Sequence, residues 1–139
     1  MINISKYGSK KMIVDGIKFD SKMEADFYLE LKLAQKQGKI LRFELQPRFE
    51  LQPKFQKNGK TIRKIEYVAD FMVYYLDDNI EKKAVYDVKG FSQDKVFLLK
   101  KKMFEYNYPE LSLICITYYN RKWMSIEEKQ QIIKQNKKR

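Results

Sequence analysis

The stretch Tyr67–Gly90, YVADFMVYYLDDNIEKKAVYDVKG, decides the fold because it has the pattern of two strands separated by a polar break. If the hairpin turns at Asp78-Asn79, paired residues have numbers that sum to 157. A four-residue turn over Asp77–Ile80 gives the same register. Asp70 and Asp87 are then directly opposite each other, with Cβ atoms roughly 4.5–5.5 Å apart.

A lysine is expected beside this acidic pair. Side chains alternate along a strand, so Lys89 lies on the same face as Asp87. Like charges opposite each other in a sheet repel unless a cation lies between them, and a divalent metal ion is the natural candidate. The alternative is a surface ion-pair cluster, which the apolar neighbours of both aspartates disfavour.

The residue content restricts the possible chemistry. The chain has 139 residues, 44% of them apolar, and we expect one domain over residues 1–139. It has no histidine, which excludes histidine bases and histidine-ligated zinc. Cys115 is the single cysteine, so an internal disulfide and a thiolate zinc site are excluded, and an inert core residue is expected. Oxygen ligands that remain suit Mg²⁺, with Mn²⁺ as a substitute.

The charge indicates an anionic partner. The net charge is +11, from 29 basic and 18 acidic residues, and nucleic acid is the usual partner of such a chain. The alternative is a basic surface without a partner. Residues 41–90 carry 10 basic and 8 acidic side chains, whereas residues 91–139 carry 11 and 5. No apolar run is long enough for a membrane span, the first six residues lack the apolar stretch of a signal peptide, and a single cysteine is consistent with a reducing cytoplasm, which is the expected location.

Local patterns predict the remaining elements. Asp15-Gly16 predicts a tight hairpin, and Ser21 caps a helix that runs to about Lys36. The other expected elements, in chain order, are a basic arm over residues 1–10, an extended segment over 40–55, a strand over Ile62–Tyr75, its partner Glu81–Lys89, a loop over 91–94, a basic helix from about Asp94 to Asn107, a strand over Leu111–Tyr118, and a C-terminal helix and basic tail over 125–139. This order predicts an α/β domain with a central mixed β-sheet flanked by helices.

Each of the first two helices has a charged residue near its apolar side. Glu24 lies beside the main stripe of the first helix, where a carboxylate needs a partner. It has an alternative role as the capping-box acid that reaches the Ser21 N–H, and Glu30 is a rival inward carboxylate. The first stripe consists of Met23, Phe27, Leu31 and Ala34.

On the second helix, Lys100 projects inside the apolar arc. It either extends to solvent or points along a cleft toward a phosphate. The arc consists of Val96, Leu99, Met103 and Tyr106, widened by Phe97 and Phe104.

The order of these motifs resembles the PD-(D/E)xK nuclease superfamily, and within it a group of small phage-encoded proteins. It is also similar to archaeal-type Holliday junction resolvases and to the endonuclease subunit of some bacterial transposons. The resemblance covers about Lys6 to Tyr118. Ala69 stands where the family often has proline, and Asp87 stands where many members have glutamate. The motifs are Glu24, Gln46-Pro47, Val68-Ala69-Asp70-Phe71 and Asp87-Val88-Lys89.

The resemblance implies a restriction-endonuclease-like core with a catalytic metal site. Asp70 and Asp87 would bind Mg²⁺ with help from the Val88 carbonyl, and Glu24 would complete the site or bind a second metal. Lys89 would orient or activate the attacking water and stabilise charge on the phosphate.

A glutamine is a further carry-over from the family. Gln46 would contact the substrate, although the repeated Gln52-Pro53 leaves open which copy matches the family.

The predicted function is therefore a metal-dependent, structure-selective DNA endonuclease that resembles a Holliday junction resolvase. The resemblance also implies a homodimer, since paired cuts in a four-way junction with two-fold symmetry call for two active sites. The expected partner is branched DNA, in the cytoplasm of a bacterial host if the chain is phage-encoded. Two alternatives remain, a less selective nuclease or nickase subunit of a replication or transposition assembly, and a non-catalytic DNA-binding accessory protein.

Overall fold

A computed structural model describes residues 11–90 and 94–138, which form eleven strands and three helices. In chain order these are β1 (Met12–Val14), β2 (Ile17–Phe19), α1 (Lys22–Lys36), β3 (Arg42–Leu45), β4 (Arg48–Gln52), β5 (Phe55–Lys57), β6 (Lys60–Ile62), β7 (Ile65–Val68), β8 (Phe71–Asp77), β9 (Ile80–Val88), α2 (Lys95–Asn107), β10 (Ser112–Tyr119), β11 (Lys122–Ser125) and α3 (Ile126–Lys137). The predicted arm over residues 1–10 and most of the predicted loop, residues 91–93, lie outside the described residues.

The centre of the fold is a five-stranded sheet in the order β11-β10-β9-β8-β3. β9 and β10 are parallel, whereas the other neighbours are antiparallel. The parallel pair requires a crossover, which α2 provides. The mixed α/β architecture predicted from the sequence is confirmed.

The β8–β9 hairpin has the predicted register. Its pairs run from Phe71↔Tyr86 to Asp77↔Ile80, and every pair sums to 157. Asp78 and Asn79 form the turn with φ angles of 52° and 64°, as a tight two-residue hairpin turn requires. Asp70 and Asp87 lie one residue beyond the Phe71↔Tyr86 pair, at the open end of the hairpin.

The continuous strand predicted over Ile62–Tyr75 is wrong, because the chain changes partners at Ala69-Asp70. β8 pairs with β3 in the central sheet, whereas β7 pairs with β4 in a separate two-stranded sheet. The β3–β8 ladder and the first three pairs of the β4–β7 ladder share one register, with paired numbers that sum to 116. Two antiparallel strands therefore bend together at one corner.

Backbone hydrogen bonds hold this corner closed. The Gln46 N–H donates to the Asp70 carbonyl at 2.9 Å, and the Ala69 N–H donates to the Pro47 carbonyl at 3.1 Å. Gln46 has a φ of 49°, and Pro47 has no N–H with which to continue a ladder. The bend places Asp70 at the corner itself.

The two long helices cover opposite faces of the sheet. α1 packs on the face that carries Phe71, Val73 and Val88. α2 packs on the other face, against Val85 and Cys115. Cys115 is buried as predicted, and burial raises its pKa to about 11. The thiol is therefore unreactive at neutral pH.

The inward face predicted for α2 is only partly correct. Val96, Leu99 and Tyr106 are 65%, 60% and 86% exposed, whereas Phe97 and Phe104 are buried. A helix wheel places all five on one broad arc, and burying the two large rings is what fixes the helix rotation. The remainder of the arc is an exposed apolar stripe.

The predicted starts of the three helices are confirmed by side-chain N-caps. Ser21, Asp94 and Ser125 each accept a hydrogen bond from the backbone N–H three residues on. β11 was missed by the sequence patterns, because its hairpin turns at Asn120-Arg121 without a glycine. None of the described helices is both long and apolar enough to cross a bilayer.

Candidate active site

Asp70 reaches from the corner toward the end of β9. It is half-buried, and its Oδ2 accepts a hydrogen bond of 2.7 Å from the Val88 N–H. The Val88 N–H thus fixes the Asp70 carboxylate. The role that the resemblance gives the Val88 carbonyl, as a metal ligand, stays a prediction.

Asp87 is buried between a phenol and an ammonium group. It is only 5% exposed. The Tyr67 hydroxyl donates to Asp87 Oδ2, and the Lys89 Nζ lies 3.1 Å from Oδ1. Both carboxylate oxygens therefore have a partner, which a buried charge requires. The predicted grouping of Asp87 with Lys89 is present.

An aromatic ring from α2 positions Lys89. The Lys89 Nζ lies 3.8 Å from the centroid of the Phe97 ring, a close cation–π contact. Phe97 also packs on the Tyr67 ring, with centroids 6.0 Å apart. A single helix residue thus supports both side chains that contact Asp87.

Tyr67 was missed by the sequence analysis, although it donates to the most buried carboxylate. Its phenol is buried, and burial and the Asp87 charge raise its pKa far above its ordinary value, so it remains a donor. The only signal in the sequence is its parity with Ala69 and Phe71, which also face inward.

Glu24 joins this group from the first turn of α1. Its backbone N–H donates to Ser21 Oγ at 3.1 Å. Glu24 therefore takes part in the helix cap through its main chain. Burial, with the charges of Asp20 and Asp87, raises the pKa of the Glu24 carboxyl to about 7. The rival carboxylate, Glu30, is exposed.

The three carboxylates repel one another. The pKa of Asp70 is raised by burial, by the charge of Asp87 and by the charge of Glu24, and the Val88 N–H offsets only part of this. A bound cation would relieve this repulsion, and carboxyl groups with raised pKa values are typical of functional sites.

The donor set fits a hard metal ion, but it does not form a finished cage. All candidate side-chain ligands are carboxylates, and Mg²⁺ and Mn²⁺ prefer such oxygen ligands. In residues 11–90 and 94–138, no three acidic or cysteine side chains converge closely enough to enclose an ion. The residues that fit a metal are therefore the neighbouring pair Asp70 and Asp87, with Glu24 at the margin.

These side chains open on one cleft. A cavity of about 370 Å³ is lined by Glu24, Asp70, Asp87, Lys89 and Lys100, among others. Lys100 is half-buried and lines the cleft, so the position expected for a phosphate contact is the observed one.

Gln46 lies on the other side of Asp70. It lines a small cavity of about 80 Å³ together with Glu24 and Asp70. Gln52 is at the far end of β4, opposite Ile65. Of the two glutamines that the sequence leaves open, Gln46 is the one next to the site.

The sequence matches, over residues 4–123, the protein family described as "Protein of unknown function (DUF1064)". A search of curated proteins and a search of solved structures found no significant match. Glu24, Asp70, Asp87 and Lys89 all lie within the matched range.

The raised carboxyl pKa values predict the pH dependence of stability. In the metal-free protein the pKa of Glu24 is about 7, against 4.5 for an unperturbed group, so the folded state binds more protons over this range. The preferential protonation of Glu24 in the folded state stabilises that state. This stabilisation is complete below pH 4.5 and is lost as the pH rises through 7. Glu24→Gln should remove the loss and be more stable than wild type by about 1–2 kcal/mol at pH 8, after allowance for partial exposure.

Thermal melts between pH 5 and pH 8 measure this difference. Glu30→Gln, at an exposed position of the same helix, is the matched control and should follow wild type. Parallel curves for wild type and Glu24→Gln would show that Glu24 is not held in a repulsive site.

The hydrogen bond from Tyr67 gives a second prediction. Tyr67→Phe keeps the ring but leaves Asp87 Oδ2 without its donor, so stability should fall by about 1 kcal/mol. Metal affinity or activity should fall about 10–100-fold, as for other groups that orient a ligand.

Tyr74→Phe is the control, because the Tyr74 hydroxyl also donates to a carboxylate, that of Glu44, in an exposed pair. Urea melts and metal titrations of both variants check the prediction. Equal effects in the two variants would refute an orienting role for Tyr67.

Proposed function

The chain belongs to the DUF1064 family, and we propose that it is a metal-dependent DNA endonuclease that hydrolyses phosphodiester bonds. One observation carries the proposal. Asp70 and Asp87 are neighbouring carboxylates, the charge of Asp87 raises the pKa of Asp70, and the Lys89 ammonium lies 3.1 Å from Asp87. All three open on the same cleft.

The chemistry of these groups suits phosphodiester hydrolysis. A bound Mg²⁺ would supply Lewis acidity and an activated water. Asp70 and Asp87 would hold the ion, and Glu24 would adjust its coordination or accept a proton. Lys89 keeps a fixed ammonium at the cleft, where it would stabilise charge that develops on the phosphate. Lys100 would contact a neighbouring phosphate.

The finer fold assignment, a restriction-endonuclease-like core, is part of the proposal. It is supported by the mixed sheet and by the position of the acidic pair where β8 begins and β9 ends. It is also supported by the helix α1, which brings Glu24 to the same end of the sheet. A cytoplasmic location and a phage origin belong to the same proposal.

Branched DNA is the proposed substrate. The proposal that the enzyme acts like a Holliday junction resolvase rests on the order of the motifs. A less selective nuclease or a nickase subunit would use the same site. The third alternative, a DNA-binding accessory protein, has one observation in its favour, since the described residues hold no preassembled group of three metal ligands.

Cleavage assays test the catalytic proposal. Wild type with Mg²⁺ or Mn²⁺ should cut at least one member of a panel of labelled four-way junction, fork, flap and linear duplex. Asp87→Asn should lower the cleavage rate by about 10³-fold, because several kcal/mol of metal-based stabilisation is lost, while DNA binding persists.

Asp77→Asn is the matched control for this assay. Asp77 is an exposed aspartate at the turn of the same hairpin, and this variant should cut like wild type. Activity retained in Asp87→Asn would exclude this active site. Binding without any cleavage by wild type would leave the accessory protein as the function.

The exposed stripe of α2 supports a homodimer. Leu99 and Tyr106 form an uncovered apolar face on a charged helix, and such faces commonly mark an interface. A second copy of the chain would cover it with the same residues around a two-fold axis.

Light scattering after size-exclusion chromatography tests the dimer. Wild type should have twice the mass of one chain at concentrations of about 10–100 µM, and Leu99→Glu should be monomeric. Leu76→Glu, an exposed leucine near the β8–β9 turn, should remain dimeric. A monomeric wild type, or equal behaviour of the two variants, would contradict a dimer through α2.

A further inference from the structure

β4 to β7 form one long antiparallel ribbon that leaves the central sheet at the corner. The β4–β7 ladder begins with paired numbers that sum to 116. A register shift between Glu50 and Gln52 changes the sum to 117, and the β5–β6 ladder continues with 117. The ribbon ends in a tight turn at Asn58-Gly59, with φ angles of 53° and 72°. From here on, the arm means residues 53–64, a segment different from the basic arm predicted over residues 1–10.

Two side chains at the end of α2 hold the base of the ribbon. The Tyr108 hydroxyl donates to the Glu50 carbonyl at 2.9 Å, and the Asn107 Nδ2 donates to the Leu51 carbonyl at 3.1 Å. Phe49 and Leu51 are buried at this base, whereas every residue of the arm is exposed. The arm therefore extends beyond the core from a fixed base.

The charge of the arm has one sign. It contains five basic residues and no acidic ones: Lys54, Lys57, Lys60, Arg63 and Lys64. Lys64 pairs with Glu66 at 3.3 Å. Among the described residues, the other four form no ion pair with a carboxylate.

The tip of the arm places like charges against each other. Lys57 is paired directly with Lys60, and cross-strand like charges are unfavourable in the absence of an anion. On the same face, the next pair is Phe55 with Ile62. The opposite face carries a hydrogen bond of 2.6 Å between Gln56 and Thr61. The first face thus combines two lysines with an apolar base.

We propose that the arm is a DNA-binding element that contacts the phosphate backbone of duplex DNA beside the cleft. The inference rests on the proposed function in taking DNA as the ligand. Its support is charge complementarity, since a narrow exposed ribbon with five basic residues and no acidic ones complements the negative charge of a duplex. A two-stranded ribbon is also narrow enough to enter the major groove.

The length of the ribbon fixes where these contacts fall. Gly59 and Asp70 are eleven residue steps apart along the chain, an extended span of at most about 36 Å. This is close to one turn of B-DNA, about 34–36 Å. The arm therefore contacts DNA within one helical turn of the phosphate that the cleft would hold.

Binding of a labelled 40-base-pair duplex and of a four-way junction, measured by fluorescence anisotropy in EDTA, tests the arm. The triple variant Lys57→Gln, Lys60→Gln, Arg63→Gln should bind about 10–100-fold more weakly at 100 mM salt. The slope of log affinity against log salt should become shallower by about 2–3, since each lost phosphate contact contributes about 0.9. Thermal melts confirm that the exposed substitutions leave the fold intact.

A second triple variant, Lys36→Gln, Lys39→Gln, Lys83→Gln, removes the same charge from exposed positions away from the cleft. It should change affinity by less than about threefold, because it alters only the general field of the protein. Equal losses in the two triple variants, or wild-type binding by the arm variant, would overturn the proposal.

Cleavage by wild type separates this inference from the proposed function. Weak binding by the arm variant together with an inactive wild type would support the arm and reject the nuclease. Wild-type cleavage that Asp87→Asn abolishes, together with full binding by the arm variant, would reject the arm and leave the nuclease in place.

Discussion

The close approach of the Asp70 and Asp87 carboxylates is the constraint on which the site depends. Two neighbouring like charges, one buried and one half-buried, destabilise the folded chain, and the fold tolerates them because each is held by a donor. Asp70 accepts from the Val88 N–H, whereas Asp87 accepts from Tyr67 and pairs with Lys89. These donors compensate the pair without neutralising it fully, and the Asp70 pKa stays raised. Such retained strain is more typical of a functional site than of a structural one.

The corner at Gln46-Pro47 and Ala69-Asp70 couples the site to the rest of the molecule. It turns the Asp70 carboxylate toward β9, and it also releases the ribbon that ends in the arm. One irregularity in two paired strands thus produces both a clustered acidic site and a basic projection. This arrangement separates the charge that would bind a cation from the charge that would bind a polyanion.

Local features of the sequence predicted the register of the β8–β9 hairpin, the helix caps and the grouping of Asp87 with Lys89, because each depends on neighbours close in the chain. The corner was not predicted, because an exchange of strand partners depends on distant residues that a single strand pattern does not reveal. The rotation of α2 was predicted wrongly in part, since a helix wheel does not show that Phe97 and Phe104 outweigh a longer stripe of smaller side chains. The basic arm was not predicted, because a charge count over residues 41–90 averages its five basic residues with acidic residues elsewhere in that range.

Calorimetric titration of the protein with Mg²⁺ and Mn²⁺, in buffers of different ionisation enthalpy, tests the metal site most directly. Because the pKa values of Asp70 and Glu24 are raised in the metal-free state, binding should release protons between pH 6 and pH 8, and affinity should increase with pH. Asp87→Asn should lose this binding, whereas Asp77→Asn should retain it. An absence of metal binding at millimolar concentrations, or binding unchanged by Asp87→Asn, would contradict a metal centre at the paired aspartates.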